Sequence, residues 1–520
     1  MTKPLVLIIM DGWGVGKDWE HNPIFLAETP NIDRLLKDYP NTEIGAAGTK
    51  IGLTMGHQGS SEIGHLIMGA GRNVLLPQTI VTKAMETGEL FNNDAYKKVF
   101  AVAKKNKSKI HLMGLLSDKG VHAYDTFCHS LIEMAQKEGL EDQIYLHIFS
   151  DGRDVAPKSV EKFIERLREK KVKLGIKRSL VASLMGRYYA MDRDHRWERT
   201  ERAFKTLVHG RGDFTAESVD EAVAKAYDRE ETDEFITPTV ILNDNGDPRA
   251  MIENGDAVIH FNYRVDRAIQ LSEAFLEEDF EGFPREAGLP QVAYAATTEY
   301  YEGMKAAIAF RRPEVKNTLG EVLSKNGLNQ FRISETEKWV YLTKIFNGIK
   351  EVEFKGEERV LLPSDKVATY DLAPKMKARK ISGLVVKKIK EDAPDTVFIN
   401  FANPDMLGHT GVKEAVIEGI ETVDTAVGEV IEATLEKDGT IIVTADHGDA
   451  EICFDEECGQ AHTSHTEADV PFILVSNNQK LQQAKLRPDG ILADIAPTIL
   501  SLLGFKIPPE MTGKNIIKSV

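Results

Sequence analysis

With 520 residues, 42% of them hydrophobic and 28% charged, the chain is too long for one core, and two or three ordinary globular domains are expected. A net charge of −16 disfavours nonspecific binding to nucleic acid or an anionic membrane, so an anionic substrate would need arginines concentrated locally. No apolar run approaches the ~20 residues of a membrane span, and three cysteines fit a reducing cytoplasm rather than a disulfide framework.

The first element is the apolar run Pro4 to Met10, halted by Asp11-Gly12-Trp13-Gly14. It reads as a buried strand and not as a secretory signal. In open α/β sheets ligands bind at the carboxyl ends of parallel strands, so an acid at that position is informative. Thr29-Pro30 then opens an amphipathic helix, with Pro30 where its missing N–H costs little. The glycine-rich stretch Gly45 to Gly71 contains Gly59-Ser60-Ser61-Glu62-Ile63-Gly64-His65. Either serine is suited to capping a helix. Alternatively, Ser61 is a nucleophile at the positive end of that helix, where an alkoxide and an incoming phosphate are both favoured.

After residue 77, helical patterns alternate with short strands to about Tyr301, as expected of an α/β unit inserted into the first domain. Its strands run into polar clusters. Lys109 to Leu116 leads to Ser117, Asp118 and His122, and Ile144 to Phe149 leads to Asp151, Arg153 and Asp154. Leu180 to Leu184 leads to Arg187 and Arg193, and Ala257 to Phe261 leads to Arg264 and Arg267. Taken singly, each arginine is explained by a surface ion pair with a neighbouring Asp. Five at one sheet edge in an acidic chain point instead to a local site for carboxylate or phosphate oxygens, which guanidinium groups bind bidentately.

Arg311-Arg312-Pro313 reads as the return crossing to the first domain. Asn317 to Gly327 follows as an amphipathic helix, and Asn329 to Ser334 as a strand leading to Lys338. The strand Thr396 to Phe401 ends in Asn403-Pro404-Asp405 and His409, and a turn can fold Asp405 and His409 onto one metal. Thr440 to Thr444 reads as a buried parallel strand that ends in Asp446-His447-Gly448-Asp449. His462 and His465 come last, before the strand Pro471 to Ser476. Asp11, Asp405, His409, Asp446, His447 and a histidine of the last block, together with Ser61, suffice for two divalent ions. Mixed carboxylate and imidazole ligands suit Mn or Zn better than Mg. Cys453 and Cys458 with His462 and His465 form a rival zinc set, disfavoured by the acidic residues between the cysteines and by the lack of a ββα pattern.

Taken together, Met10-Asp-Gly-Trp-Gly14, Gly59-Ser-Ser-Glu-Ile-Gly-His-Leu66, Gly120-Val-His122, Asp151-Gly-Arg-Asp154 and Gly186-Arg-Tyr-Tyr-Ala-Met-Asp-Arg193 resemble one family's motifs. So do Phe261-Asn-Tyr-Arg-Val-Asp-Arg267, Glu335-Thr-Glu-Lys338, Asn403-Pro-Asp405, Gly408-His-Thr410 and Ala445-Asp-His-Gly448. The family is that of the cofactor-independent phosphoglycerate mutases, within the alkaline phosphatase superfamily, and the resemblance is collinear from the first strand to the last. It implies an α/β fold: an alkaline-phosphatase-like, doubly wound sheet domain of residues 1–77 and 312–520, binding metal, with a second α/β domain, 78–311, inserted to bind substrate. It also implies interconversion of 2-phosphoglycerate and 3-phosphoglycerate in glycolysis and gluconeogenesis through a phosphoserine. Two Mn²⁺ ions are implied, with Zn²⁺, Co²⁺ or Mg²⁺ as alternatives, and no bisphosphoglycerate.

By the resemblance Ser61 is the nucleophile. Asp11, Ser61, Asp446 and His447 hold one metal, and Asp405, His409 and His465 the other. His465 is preferred to His462 because the family's ligand stands a few residues before the Val-Pro that opens the next strand. His122, Arg153, Asp154, Arg187, Arg193, Arg264, Arg267 and Lys338 bind substrate, with Lys338 neutralising charge and Asp154 moving protons. The chain is expected to act as a cytoplasmic monomer on a small phosphoglycerate, without nucleic-acid or membrane partners. It departs from the family at Ser60, usually Asn, and at Asp449, often Asn. A phosphatase or sulfatase of the superfamily would share the metal cluster without needing the arginine-rich insert, and phosphopentomutase would share the core alone. A metal-binding protein without catalysis would not need Ser61.

Overall fold

The computed structural model describes residues 3–53, 56–286, 288–311, 314–456 and 459–519. Cys458 and the crossing residues Arg312 and Pro313 lie outside the described residues. The chain divides into two compact units, Met1–Val74 with Glu314–Val520, and Leu75–Pro313. The helix Pro77–Thr87, with Pro77 at its first position and Leu76 as its N-cap, therefore belongs wholly to the second unit.

The first unit is built on an eight-stranded sheet. Its strands run in the order Glu357–Leu362, Gln330–Glu335, Thr396–Phe401, Leu5–Met10, Thr440–Thr444, Val470–Ser476, Asn41–Gly45 and Gly490–Ile491. The first five are mutually parallel. Leu5–Met10, an unbroken apolar run, and Thr396–Phe401, apolar but for Thr396 and Asn400, are buried at every residue, as expected of strands covered on both faces. Thr440–Thr444 is parallel to Leu5–Met10 on one side but antiparallel to Val470–Ser476 on the other, so its all-parallel setting is only half realised. Two helix groups pack separately: Pro30–Asp38, Ala378–Glu391 and Lys413–Leu435 in one, Ser61–Ala70, Leu319–Lys325 and Ile495–Leu502 in the other. This is the doubly wound layering expected of the sequence.

The second unit has its own eight-stranded sheet, ordered Ala307–Ile308, Ala293–Ala296, Ala257–His260, Ile110–Leu116, Ile144–Ser150, Val181–Gly186, Thr239–Ile241 and Phe214–Ala216. The first six are parallel, and Thr239–Ile241 runs against Val181–Gly186. A continuous apolar core, including Phe100, Phe127, Phe149, Phe204 and Phe275, joins the sheet to its helices. Among the described residues of the chain, no helix is long and apolar enough to cross a membrane.

Candidate active site

In the first unit, parallel register brings several chain segments to one sheet edge. Met10 pairs with Phe401 and Ile9 with Thr444, so the three strands finish together. Asp11 follows the first strand, Asp405 lies in the helix Asn403–Gly408 after the second, and Asp446 and His447 follow the third. A fourth strand, Gln330–Glu335, leads directly into the short helix Thr336–Val340 that carries Lys338. Gly12, at φ +78°, allows the tight approach: a Cβ there would stand 2.8 Å from the Cα of Asp405.

Ser61 is the first residue of the helix Ser61–Ala70, and Ser60 is its cap, accepting a hydrogen bond from the Ile63 amide at 3.5 Å. Capping thus falls to Ser60, leaving the Ser61 hydroxyl free to join the cluster at the positive end of the helix. Ser61 is buried and its Oγ donates to Asp11 Oδ1 at 3.0 Å, lies 3.1 Å from His447 Nε2, and accepts from Lys338 Nζ at 2.7 Å. Lys338 Nζ stands 2.6 Å from Asp11 Oδ1 and also pairs with Asp405 Oδ2. Burial opposes the charge on Lys338, but the carboxylates of Asp11, Asp405 and Asp446 outweigh it and hold the ammonium above the ordinary lysine range. His447 behaves likewise: burial lowers it, while Asp446, Asp11 and Asp405 bring it up to about 10. The carboxylates therefore sit in a buried site organised around positive charge.

Two groups of convergent ligand atoms occur here: Asp11, Asp446 and His447 in one, Asp405, His409, Asp449 and His465 in the other, with the ligand atoms of each within 4.8 Å of one another. His409 Nδ1 donates to the Thr463 carbonyl at 3.0 Å and His465 Nδ1 to the Gly59 carbonyl at 2.9 Å. Both rings thereby turn Nε2 lone pairs inward, 3.2 Å apart, in the manner of metal-bound histidines oriented through their other nitrogen. Asp405 Oδ1 lies 3.1 Å from His465 Nε2. Asp405 Oδ1, Asp446 Oδ2 and both oxygens of Asp449 are buried and accept no well-aligned hydrogen bond. Orphaned carboxylate oxygens and inward imidazole nitrogens are the donor set of a divalent cation site, and the residues fit one. Among the described residues neither group includes Cys453 or His462; the His462 amide instead bonds the Cys453 carbonyl at 3.0 Å.

Three residues join this cluster to which the sequence reading gave no role. Asn400 Nδ2 donates to Asp11 Oδ2 at 2.6 Å and contacts His65 Nε2 at 3.1 Å. His65 Nδ1 bonds the Ser61 carbonyl at 2.9 Å and lies 3.2 Å from Asp446 Oδ2. Asn400 was findable as the polar interruption of a buried apolar strand, and His65 as the imidazole in an otherwise apolar helix stretch. Asp449 was visible only as a departure from the resembled motif.

In the second unit the polar clusters again follow aligned strand ends, Leu116 pairing with Ser150 and Ser150 with Gly186. Arg187 is buried and central: Nη1 donates to Asp151 Oδ1 at 2.7 Å and Asp154 Oδ2 at 2.5 Å, and Nη2 to His122 Nε2 at 2.9 Å. Burial, then the charges of Arg187 and Arg264, lower His122 to about 3, so it is a neutral acceptor. Arg193 and Arg264 share the Asp266 carboxylate at 2.9 and 3.1 Å. Arg267 donates to the Met191 carbonyl at 3.0 Å; burial, followed by the charges of Arg187 and Arg193, pulls its pKa below the ordinary arginine value. Arg153, the most exposed, reaches Glu234 at 3.1 Å. Four of the five thus find a carboxylate, but only Arg264 with Asp266 is an exposed pair with a neighbouring Asp. The Arg187 pairs are buried, and Arg153 and Arg193 reach acids remote in sequence. The charges of Arg187, Arg264 and Arg267 gather around His122. Asp151, Glu234 and Asp266 are the acids that position them.

Residues 81–302 match the family model described as the BPG-independent PGAM N-terminus, and residues 292–497 match type I phosphodiesterase / nucleotide pyrophosphatase. The 2,3-bisphosphoglycerate-independent phosphoglycerate mutase of Clostridium beijerinckii is 45% identical over 516 residues, 99% of each chain, and that of Clostridium novyi is 46% identical over 519 residues with the same coverage. A crystal structure of Leishmania mexicana phosphoglycerate mutase, obtained at low cobalt concentration, superposes with a TM-score of 0.75 at 32% identity, covering 100% of this chain and 98% of that one. Likeness that spans both units, at 45% identity end to end, places this chain in the family of 2,3-bisphosphoglycerate-independent phosphoglycerate mutases.

Proposed function

We propose that the chain interconverts 2-phosphoglycerate and 3-phosphoglycerate without bisphosphoglycerate, and that Ser61 carries the phosphoryl group between its release and its return. The observation that carries this reading is the Ser61 hydroxyl, held at a helix N-terminus 2.7 Å from Lys338 Nζ and 3.0 Å from Asp11 Oδ1. Asp11, Ser61, Asp446 and His447 would hold one Mn²⁺, and Asp405, His409 and His465 a second. Bound there, the ions would favour the serine alkoxide and polarise the phosphoryl oxygens. Ser61 Oγ attacks phosphorus as the bond to the glycerate oxygen breaks, and Lys338 offsets charge on the transferring group.

The second unit supplies recognition. Arg153, Arg187, Arg193, Arg264 and Arg267 are assigned to the carboxylate and phosphate of the substrate, with neutral His122 as a hydrogen-bonding neighbour. Asp154 is assigned the proton transfers at the two glycerate hydroxyls. A carboxylate-binding group of this kind serves a mutase, which must keep the glycerate while its other hydroxyl takes the phosphate back. A hydrolase has no such need. The chain is read as a monomer, and its three cysteines support a cytoplasmic setting.

The test is NMR of the purified, Mn²⁺-loaded protein with 3-phosphoglycerate and no bisphosphoglycerate. Formation of 2-phosphoglycerate up to an equilibrium mixture is the expected result. Release of inorganic phosphate alone would turn the reading to a hydrolase, and full activity in Ser61→Ala would remove the phosphoserine.

A further inference from the structure

Asp449 has no part in the proposed reaction, yet its carboxylate is completely buried. Among the described residues neither of its oxygens accepts a hydrogen bond. Its main chain is fixed, the amide donating to the Gly12 carbonyl at 3.0 Å, so the side chain is aimed by the same loop that places Asp446 and His447. The space it occupies is kept open by Gly408, where a Cβ would fall 2.5 Å from Asp449 Oδ1. Among the described residues its one ion-pair contact is His409 Nδ1, 3.6 Å from Oδ2, and that N–H is already given to the Thr463 carbonyl at 3.0 Å. Asp449 is thus not the orienting acceptor of His409. A buried carboxylate with no donor needs a positive charge to justify its place.

We propose that Asp449 is a fourth protein ligand to the cation held by Asp405, His409 and His465, adding a second carboxylate that strengthens the site for a hard ion such as Mn²⁺. The inference rests on the two-cation reading of the site. Its ligand atom lies within 4.8 Å of those of the other three residues, which is the span a single ion bridges. A carboxylate oxygen adds more to Mn²⁺ than to Zn²⁺, which the imidazole nitrogens already satisfy. Asp449 thereby acts on which ion occupies the site as well as on how tightly it is held.

The experiment is titration of the metal-stripped full chain with Mn²⁺ and, separately, Zn²⁺ by calorimetry, comparing wild type, Asp449→Asn, Asp449→Ser and Asp405→Asn. Losing a ligand is expected to weaken one of two Mn²⁺ equivalents by at least about 10-fold in both Asp449 variants, since even outer partners of a ligand are worth 10- to 100-fold. The Zn²⁺ loss is expected to be smaller. Melting in chelator checks folding, and Asp449→Asn, which replaces a buried carboxyl that accepts no hydrogen bond with an amide of the same shape, is expected to melt no lower than wild type. If Asp405→Asn loses one equivalent while both Asp449 variants bind Mn²⁺ as wild type does, the proposal is overturned and the two-cation reading stands. If Asp405→Asn also keeps both equivalents, the two-cation reading falls and the proposal with it.

Discussion

Lys338 Nζ and Ser61 Oγ are joined by a 2.7 Å hydrogen bond that spans 277 residues of sequence, and the same ammonium lies 2.6 Å from Asp11 Oδ1. Serine, lysine and acid form one buried unit. Lys338→Met is expected to lower turnover by about 10²–10³-fold, the usual cost of removing one preorganised charge donor. It also leaves Asp11 and Asp405 short of positive charge. The variant's melting temperature in chelator is therefore expected to fall below wild type by an amount equivalent to ~3–5 kcal/mol. Mn²⁺ should restore much of that loss, and calorimetric scans with and without the ion check both parts.

Arg187 and Arg267 are expected to respond differently to truncation. Arg187→Ala strands the buried Asp151 and leaves Asp154 without its partner, so it should destabilise the second unit by ~3–5 kcal/mol as well as abolish binding. Arg267→Ala removes, among the described residues, one hydrogen bond, to the Met191 carbonyl, and a positive charge near Asp266. It is expected to leave the melt unchanged while raising KM by about 10–100-fold, the worth of one charge-assisted hydrogen bond. Equal melting temperatures for the two variants would contradict this assignment.

Glu335, at the start of the helix carrying Lys338, is raised from 4.5 to about 7, chiefly by burial and despite hydrogen bonds from Ser364 and the Lys377 amide; nearby Lys377 lowers it and Asp365 raises it. The folded state therefore holds this proton more tightly than the unfolded chain. Its stabilising contribution is complete below pH 4.5 and disappears as pH rises through about 7. Glu335→Gln abolishes the dependence. Relative to wild type it is expected to gain up to ~3 kcal/mol between pH 4.5 and 8, read from denaturant melts at the two pH values.

Arg332 is completely buried in the sheet of the first unit, with Glu357 Oε1 3.3 Å away as its counter-charge. Glu357 also pairs with Arg359 at 2.7 Å and accepts from the Phe354 amide at 3.0 Å. Glu357→Gln takes the counter-charge from both guanidinium groups and is expected to cost ~3–5 kcal/mol, and adding Arg332→Met to it should recover only the part owed to Arg332. Chemical denaturation of the single and double variants decides the matter.

Much of this protein was legible from its sequence because a parallel α/β sheet puts its chemistry where an apolar run stops. Leu5–Met10 before Asp11, Thr396–Phe401 before Asp405 and Thr440–Thr444 before Asp446 are each a buried strand followed by charge that a strand cannot hold. The arginines after the strands of the second unit followed the same rule. Local burial pattern carries that information, and no pairing between distant segments is needed to read it.

What only the tertiary structure decided is which ends meet. Strand order sets Leu5–Met10 between Thr396–Phe401 and Thr440–Thr444, and nothing in any one strand specifies its neighbours. That order brings Asn400 onto Asp11 and His65 against Asp446, turns His465 inward while His462 bonds Cys453, and buries Asp449 beside His409. Spacing could not separate the two histidines, because a difference of three residues in a loop is resolved by backbone hydrogen bonds to remote segments such as Gly59. The sequence determined the kinds of chemistry and the strand ends that hold them. Long-range packing determined the partners, since burial of charge is satisfied only by groups that the fold itself brings near.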